Sequence, residues 1–147
     1  MAEIIYKTGN DLDLDAFIEI IRASTLGARR PIHAREVMKA MLDHGDVIVT
    51  AWDGEKVVGV ATTLTDFYRV AYLADLAVHA EYQRQGIGKE LIRRTQEELK
   101  PSCSIVLLAA PNANDYYPKI GFQHNPRAWM LDSNQRPKRC KPITCNG

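Results

Sequence analysis

YLADLAVHAEYQRQGIGKELIRRTQEEL, residues 72–99, decides the fold. Residues 72–78 predict a strand, with Leu73, Leu76, Ala77 and Val78 apolar and one acid, Asp75. Gln83, Arg84, Gln85, Gly86, Ile87 and Gly88 predict a tight turn. A helix then runs from Gly88 to Leu99, with Ile87, Leu91 and Ile92 on one face and charged residues mostly on the other. Glycines where a loop enters a helix let the backbone turn sharply and let a ligand approach without a Cβ in the way. The first helical N–H groups lack intrahelical partners and sit at the positive end of the dipole, which suits phosphate. Arg84 and Lys89 add cationic charge.

Two familiar phosphate motifs fail on these residues. The dinucleotide fingerprint needs a third glycine, where Leu91 stands. The Walker loop needs Ser or Thr after Gly88-Lys89, where Glu90 stands, and an earlier glycine, where Gln83 stands.

Gln83-x-x-Gly86-x-Gly88 after Leu76-Ala77-Val78 resembles the acyl-CoA loop of the GNAT N-acetyltransferase family. Tyr116-Tyr117-Pro118-Lys119-Ile120-Gly121-Phe122, about thirty residues on, resembles that family's aromatic-Tyr-x-x-x-Gly-Phe segment. The order and approximate spacing are the family's, and the resemblance runs from Ile4 to Leu131. Arg29-Arg30-Pro31 and the spacing from Ala110-Pro111 to Tyr117 are similar to a branch that includes arylalkylamine acetyltransferases. Some of that branch carry an acid where this chain has Ala110.

The resemblance implies a fold, an activity and a set of residues. The fold is α/β, close to α+β: a mixed central sheet flanked by helices, with an antiparallel N-terminal meander and one parallel β-α-β crossover. The activity is acetyl transfer from acetyl-CoA to an amine by direct attack. Gln83, Arg84, Gln85, Gly86, Ile87, Gly88 and Lys89 would hold the pyrophosphate, and Leu76, Ala77 and Val78 the pantetheine arm through an opened strand edge. A backbone N–H near Leu76 would polarise the thioester carbonyl. Asn112 is a candidate for bonding the pantetheine amides, with a turn role as the alternative. Tyr117 is the candidate proton donor to the departing thiolate, and Tyr116 a packing residue. The base is poorly determined: Asp75 stands first, as base or as a solvated or salt-bridged residue, and His79 and Glu81 follow. A chain of waters could serve instead.

The 147 residues, 46% apolar and 25% charged, predict one domain over 1–132 and a basic tail over 133–147. A net charge of +1 argues against nucleic acid or an anionic membrane as main partner. The acceptor would be a small-molecule or protein amine, and a homodimer through an exposed last strand is open. No stretch reaches the ~18–20 apolar residues of a membrane span. The start MAEIIYKTGND lacks a secretory pattern, and Cys103, Cys140 and Cys145 suggest a reducing, cytoplasmic setting without disulfides or a metal site.

The remaining chain predicts a first strand at 3–7 and a helix through Ala23 capped by Asn10 or Asp11. Arg29 and Arg30 read as a solvated loop, with contact to an acidic acceptor as the alternative. A second helix spans 34–43. Strands at 46–52 and 56–64 flank an Asp53-Gly54 turn, with Gly59 marking a bulge or close approach. Residues 103–109 predict a parallel strand buried on both faces, 115–120 a short helix, and 127–131 a last strand. Two other functions stay open: a non-catalytic acyl-CoA-binding regulator, and a phosphate- or nucleotide-binding domain of another class.

Overall fold

The computed structural model describes residues 3–9 and 11–139. Two compact units divide at Asn114 and Asp115.

The first unit holds a five-stranded sheet in the order β1-β2-β3-β4-β5, made of β1 (Ile4–Thr8), β2 (Val47–Asp53), β3 (Lys56–Thr65), β4 (Val70–Val78) and β5 (Ser104–Val106). The first three pairings are antiparallel and β4–β5 is parallel. The expected meander and crossover are therefore both present. Gly54, at φ 60, closes the β2–β3 hairpin in a left-handed conformation that glycine adopts at little cost.

Helices α1 (Leu14–Ala23) and α2 (Arg35–Asp43) precede the hairpin, and α3 (Ile87–Glu97) links β4 to β5. Phe17, Ile20 and Ile21 of α1 and Met38 and Leu42 of α2 share a buried cluster with Ile48, Val60 and Ala77. Gly59, next to Val60, faces α3: a Cβ there would lie 3.1 Å from both Ile87 Cγ2 and Leu91 Cδ1. Neighbouring strand residues point to opposite faces, so α1 and α3 cover opposite sides of the sheet. The expected close approach at Gly59 is thus real, and the β2–β3 register also shifts beside it, between Ala51 and Trp52.

Several expectations need correction. Asp13, not Asp11, caps α1, its carboxylate accepting from the Ala16 N–H at 2.7 Å. Asn10 and the end of the expected tail, with Cys140 and Cys145, lie outside the described residues. β5 is three residues long, and Ser104 and Val106 are exposed rather than buried on both faces. It has one strand neighbour among the described residues, so the apolar run 103–109 overstates both its length and its burial. Residues 127–131 form no strand.

The second unit begins with α4 (Tyr116–Lys119). Gly121, at φ 106, ends that turn, and the Phe122 N–H returns to the Tyr117 carbonyl at 3.0 Å.

Candidate active site

Strand β4 outruns its parallel partner. The β4–β5 ladder joins Val70, Ala71 and Tyr72 to Ser104, Ile105 and Val106, and residues 107–110 are not strand. From 73 to 78, the β5-side edge of β4 has no ladder among the described residues.

The β3–β4 hydrogen-bond pattern says which groups face that edge. The His79 N–H donates to the Val58 carbonyl at 2.9 Å, and Val78 stands opposite Gly59. In an antiparallel ladder, bonded and non-bonded pairs alternate. Val78 and Leu76 therefore turn their N–H and C=O groups away from β3, whereas Ala77 and Asp75 bond across to Val60 and Thr62. The Gln83 side chain agrees: its Nε2 donates to the outward Val78 carbonyl at 3.4 Å.

Beyond β4 a 3-10 turn, Ala80–Tyr82, leads into the glycine loop. His79 caps it, its Nδ1 accepting from the Glu81 N–H at 3.1 Å. Arg84, at φ 65, and Gly86, at φ 81, both occupy the left-handed region. For arginine that conformation costs about 1–2 kcal/mol, the kind of strain that clusters at ligand sites. Gly86 is the N-cap of α3 and offers no side-chain cap. The first N–H groups of α3 are left without an intrahelical partner, and nothing lies within 4 Å of where a Gly86 Cβ would stand. Gln83, Arg84, Gln85, Gly86 and Lys89 are exposed, while Ile87 is buried and anchors the loop against Gly59. An open strand edge thus runs into an uncapped, cation-flanked helix start. Amides along the edge suit an amide-bearing chain, and the helix start suits a phosphate.

Asp75 is buried, with 3% of its surface exposed. One oxygen accepts from Arg30 Nε at 2.6 Å and the other from Thr62 Oγ1 at 2.6 Å. Arg30 Nη2 also donates to the Ala74 carbonyl at 3.0 Å. This corrects the solvated-loop reading of Arg30, whose side chain is 24% exposed. Arg30 follows the 3-10 turn Thr25–Arg29, which is fixed by buried Leu26 and by Ser24, whose oxygen accepts from the Leu26 N–H at 3.1 Å. Sequence reasoning missed this contact: Arg30 and Asp75 are 45 residues apart, and no local motif joins them.

Asn112 is exposed in the 3-10 turn Pro111–Ala113. In the second unit Tyr117 lies edge-on to Tyr116 and to Phe122, with ring centroids 5.3 and 5.4 Å apart. Burial, then the neighbouring Tyr116, pushes the Tyr117 phenol above its ordinary value, so it holds its proton at neutral pH. Among the described residues no group of three His, Cys, Asp or Glu could hold a metal ion. No helix among them is long and apolar enough to cross a membrane.

The acetyltransferase (GNAT) domain family matches residues 22–128. An uncharacterized ycf52-like N-acetyltransferase of Prochlorococcus marinus is 30% identical over 129 residues, covering 84% of this chain and 69% of its own. The ycf52 N-acetyltransferase of Pyropia yezoensis, also uncharacterized, is 27% identical over 67% of this chain and 58% of its own. Among solved structures, a protein from Deinococcus radiodurans superposes with a TM-score of 0.72 at 24% identity, covering 90% of each chain. An aminoglycoside N-acetyltransferase in complex with CoA gives 0.66 at 15% identity, covering 92% of this chain and 97% of its own.

Proposed function

This chain belongs to the GNAT acetyltransferase family, and from that premise we propose that it transfers an acetyl group from acetyl-CoA to a primary amine by direct attack. The observation that carries the reading is the edge of β4 from 73 to 78, open towards β5 and continuous with the uncapped start of α3. Acetyl-CoA supplies an activated thioester on a long amide-bearing arm ending in a pyrophosphate. The residues present fit each part.

The outward Leu76 N–H is the donor best suited to the thioester carbonyl, where negative charge grows as the amine attacks. The outward Val78 N–H and C=O, with Ala77 fixing the strand between them, would bond the arm's amides. The backbone from Gln83 to Lys89, with Arg84 and Lys89 beside it, would hold the pyrophosphate, and Asn112 is a further amide partner. Tyr117 would protonate the departing thiolate, its phenol being neutral at pH 7. Both Asp75 oxygens already accept hydrogen bonds, one from Arg30 and one from Thr62, and the side chain is buried. We assign it to holding Arg30. The amine's proton would leave through water, with His79 and Glu81 nearest the strand exit.

The acceptor is a small-molecule or protein amine. The domain would extend over residues 1–132. The test is an amine screen with acetyl-CoA and thiol-release detection. Saturable release dependent on one amine supports the reading, and tight acetyl-CoA binding without release from any amine would favour a non-catalytic binding domain.

A further inference from the structure

Thr62 pairs with Asp75, yet the next residue, Thr63, pairs with Leu73, so Ala74 is an extra residue in β4 with no partner on β3. Such a bulge inserts one residue into a two-residue period. It therefore decides which amides beyond it face β3 and which face outward. Without it, the register of residues 75–78 would shift by one, and Leu76 and Val78 would turn inward. Ala74 has no register partner on β3, and its carbonyl takes a hydrogen bond from outside the sheet.

We propose that Arg30 is the positioning residue for this edge. Its guanidinium bridges the bulge, with Nη2 on the Ala74 carbonyl at 3.0 Å and Nε on the Asp75 carboxylate at 2.6 Å. Thr62 holds the other Asp75 oxygen at 2.6 Å from the neighbouring strand. The three side chains tie the segment after α1 to the point in β4 where amide direction is set. Lysine cannot replace this fork, because one ammonium does not supply two parallel donors in a fixed plane. Asp75 thus acts through Arg30 and not on a substrate. The catalytic consequence rests on the reading of β4 as the thioester edge, but the structural claim does not.

The test compares the wild type with Arg30→Lys and with the double variant Arg30→Met/Asp75→Asn. The double variant leaves no unpaired carboxylate buried, which keeps it able to fold. Amide hydrogen exchange, resolved by residue in the unliganded protein, is the first readout. In the wild type Ala77 and Asp75 should exchange slowly, and Leu76 and Val78 fast. In both variants this alternation should blur or reverse, while the amides of α3 stay protected. Steady-state kinetics is the second readout: kcat should fall about 100-fold, as for a small misplacement of a reacting group, with the acceptor KM within about threefold. Unchanged alternation in a folded double variant overturns the proposal. Altered alternation in a protein that does not bind acetyl-CoA would uphold the clamp and reject the functional reading.

Discussion

Gly86→Val tests the loop where it is most exposed to refutation. Gly86 sits at φ 81, where a side chain costs about 1–2 kcal/mol, more for a β-branched one. No atom lies within 4 Å of the added Cβ, so the folded protein itself does not clash with it. The γ-methyl groups would instead fill the space before the α3 N-terminus. A hydrogen bond to a charged group contributes about 1.5–3 kcal/mol, so losing one phosphate contact should weaken acetyl-CoA binding by about 10- to 150-fold. Calorimetric titration should be run with acetyl-CoA and with S-acetylpantetheine, which lacks the pyrophosphate. The variant should lose affinity for the first and keep its affinity for the second. Equal losses for both ligands would mean that the substitution perturbs β4 or the whole fold. An unchanged acetyl-CoA affinity would remove the phosphate role from this loop.

Tyr117→Phe should lower kcat by about 100-fold or more while leaving acetyl-CoA affinity nearly intact, as expected for a lost general acid. In the wild type the raised phenol pKa predicts that Tyr117 adds no fall in activity through the neutral range; a fall centred near pH 7 that is absent in the variant would contradict the assignment. Gly59→Ala should destabilise by about 1–3 kcal/mol, because the new methyl meets Ile87 and Leu91 at 3.1 Å; thermal unfolding at an unchanged midpoint would show that α3 shifts freely. Asp66 accepts from the backbone N–H groups of Tyr68, Arg69 and Val70, and the bonds from Arg69 and Val70 chiefly hold its carboxyl below the usual range. A lowered folded pKa adds stability above the unfolded value of about 3.9 that is lost as pH falls through the folded one. Asp66→Asn should flatten that acid limb in urea unfolding, and an unaltered limb would assign the acid sensitivity elsewhere.

Much of the fold was legible because its signals are local. The hairpin is marked by Asp53-Gly54, the buried face of α1 by Phe17, Ile20 and Ile21, and the strand-loop-helix by two glycines between apolar runs. The cap of α1 was displaced by two residues because Asp11 and Asp13 have the same chemistry. β5 was overestimated because an apolar run shows neither where pairing stops nor which face stays open. The shortened ladder at Tyr72 and Val106 is the feature that opens β4, and it depends on the course of residues 107–110. The Arg30–Asp75–Thr62 cluster was illegible for a related reason: an ion pair over 45 residues needs the fold before it can be seen. The sequence left Asp75 open between a base and a solvated or salt-bridged acid, and the ion pair with Arg30 answers to the salt-bridged alternative without having named its partner.

The central claim is that the open edge of β4 and the start of α3 together form an acetyl-CoA site. Calorimetric titration of the purified protein with acetyl-CoA, with ATP and NAD as controls, tests it most directly. The account predicts saturable binding of acetyl-CoA at a stoichiometry near one, with at least about tenfold weaker binding of ATP and NAD. A folded protein that binds none of the three, or that prefers ATP or NAD, would contradict it.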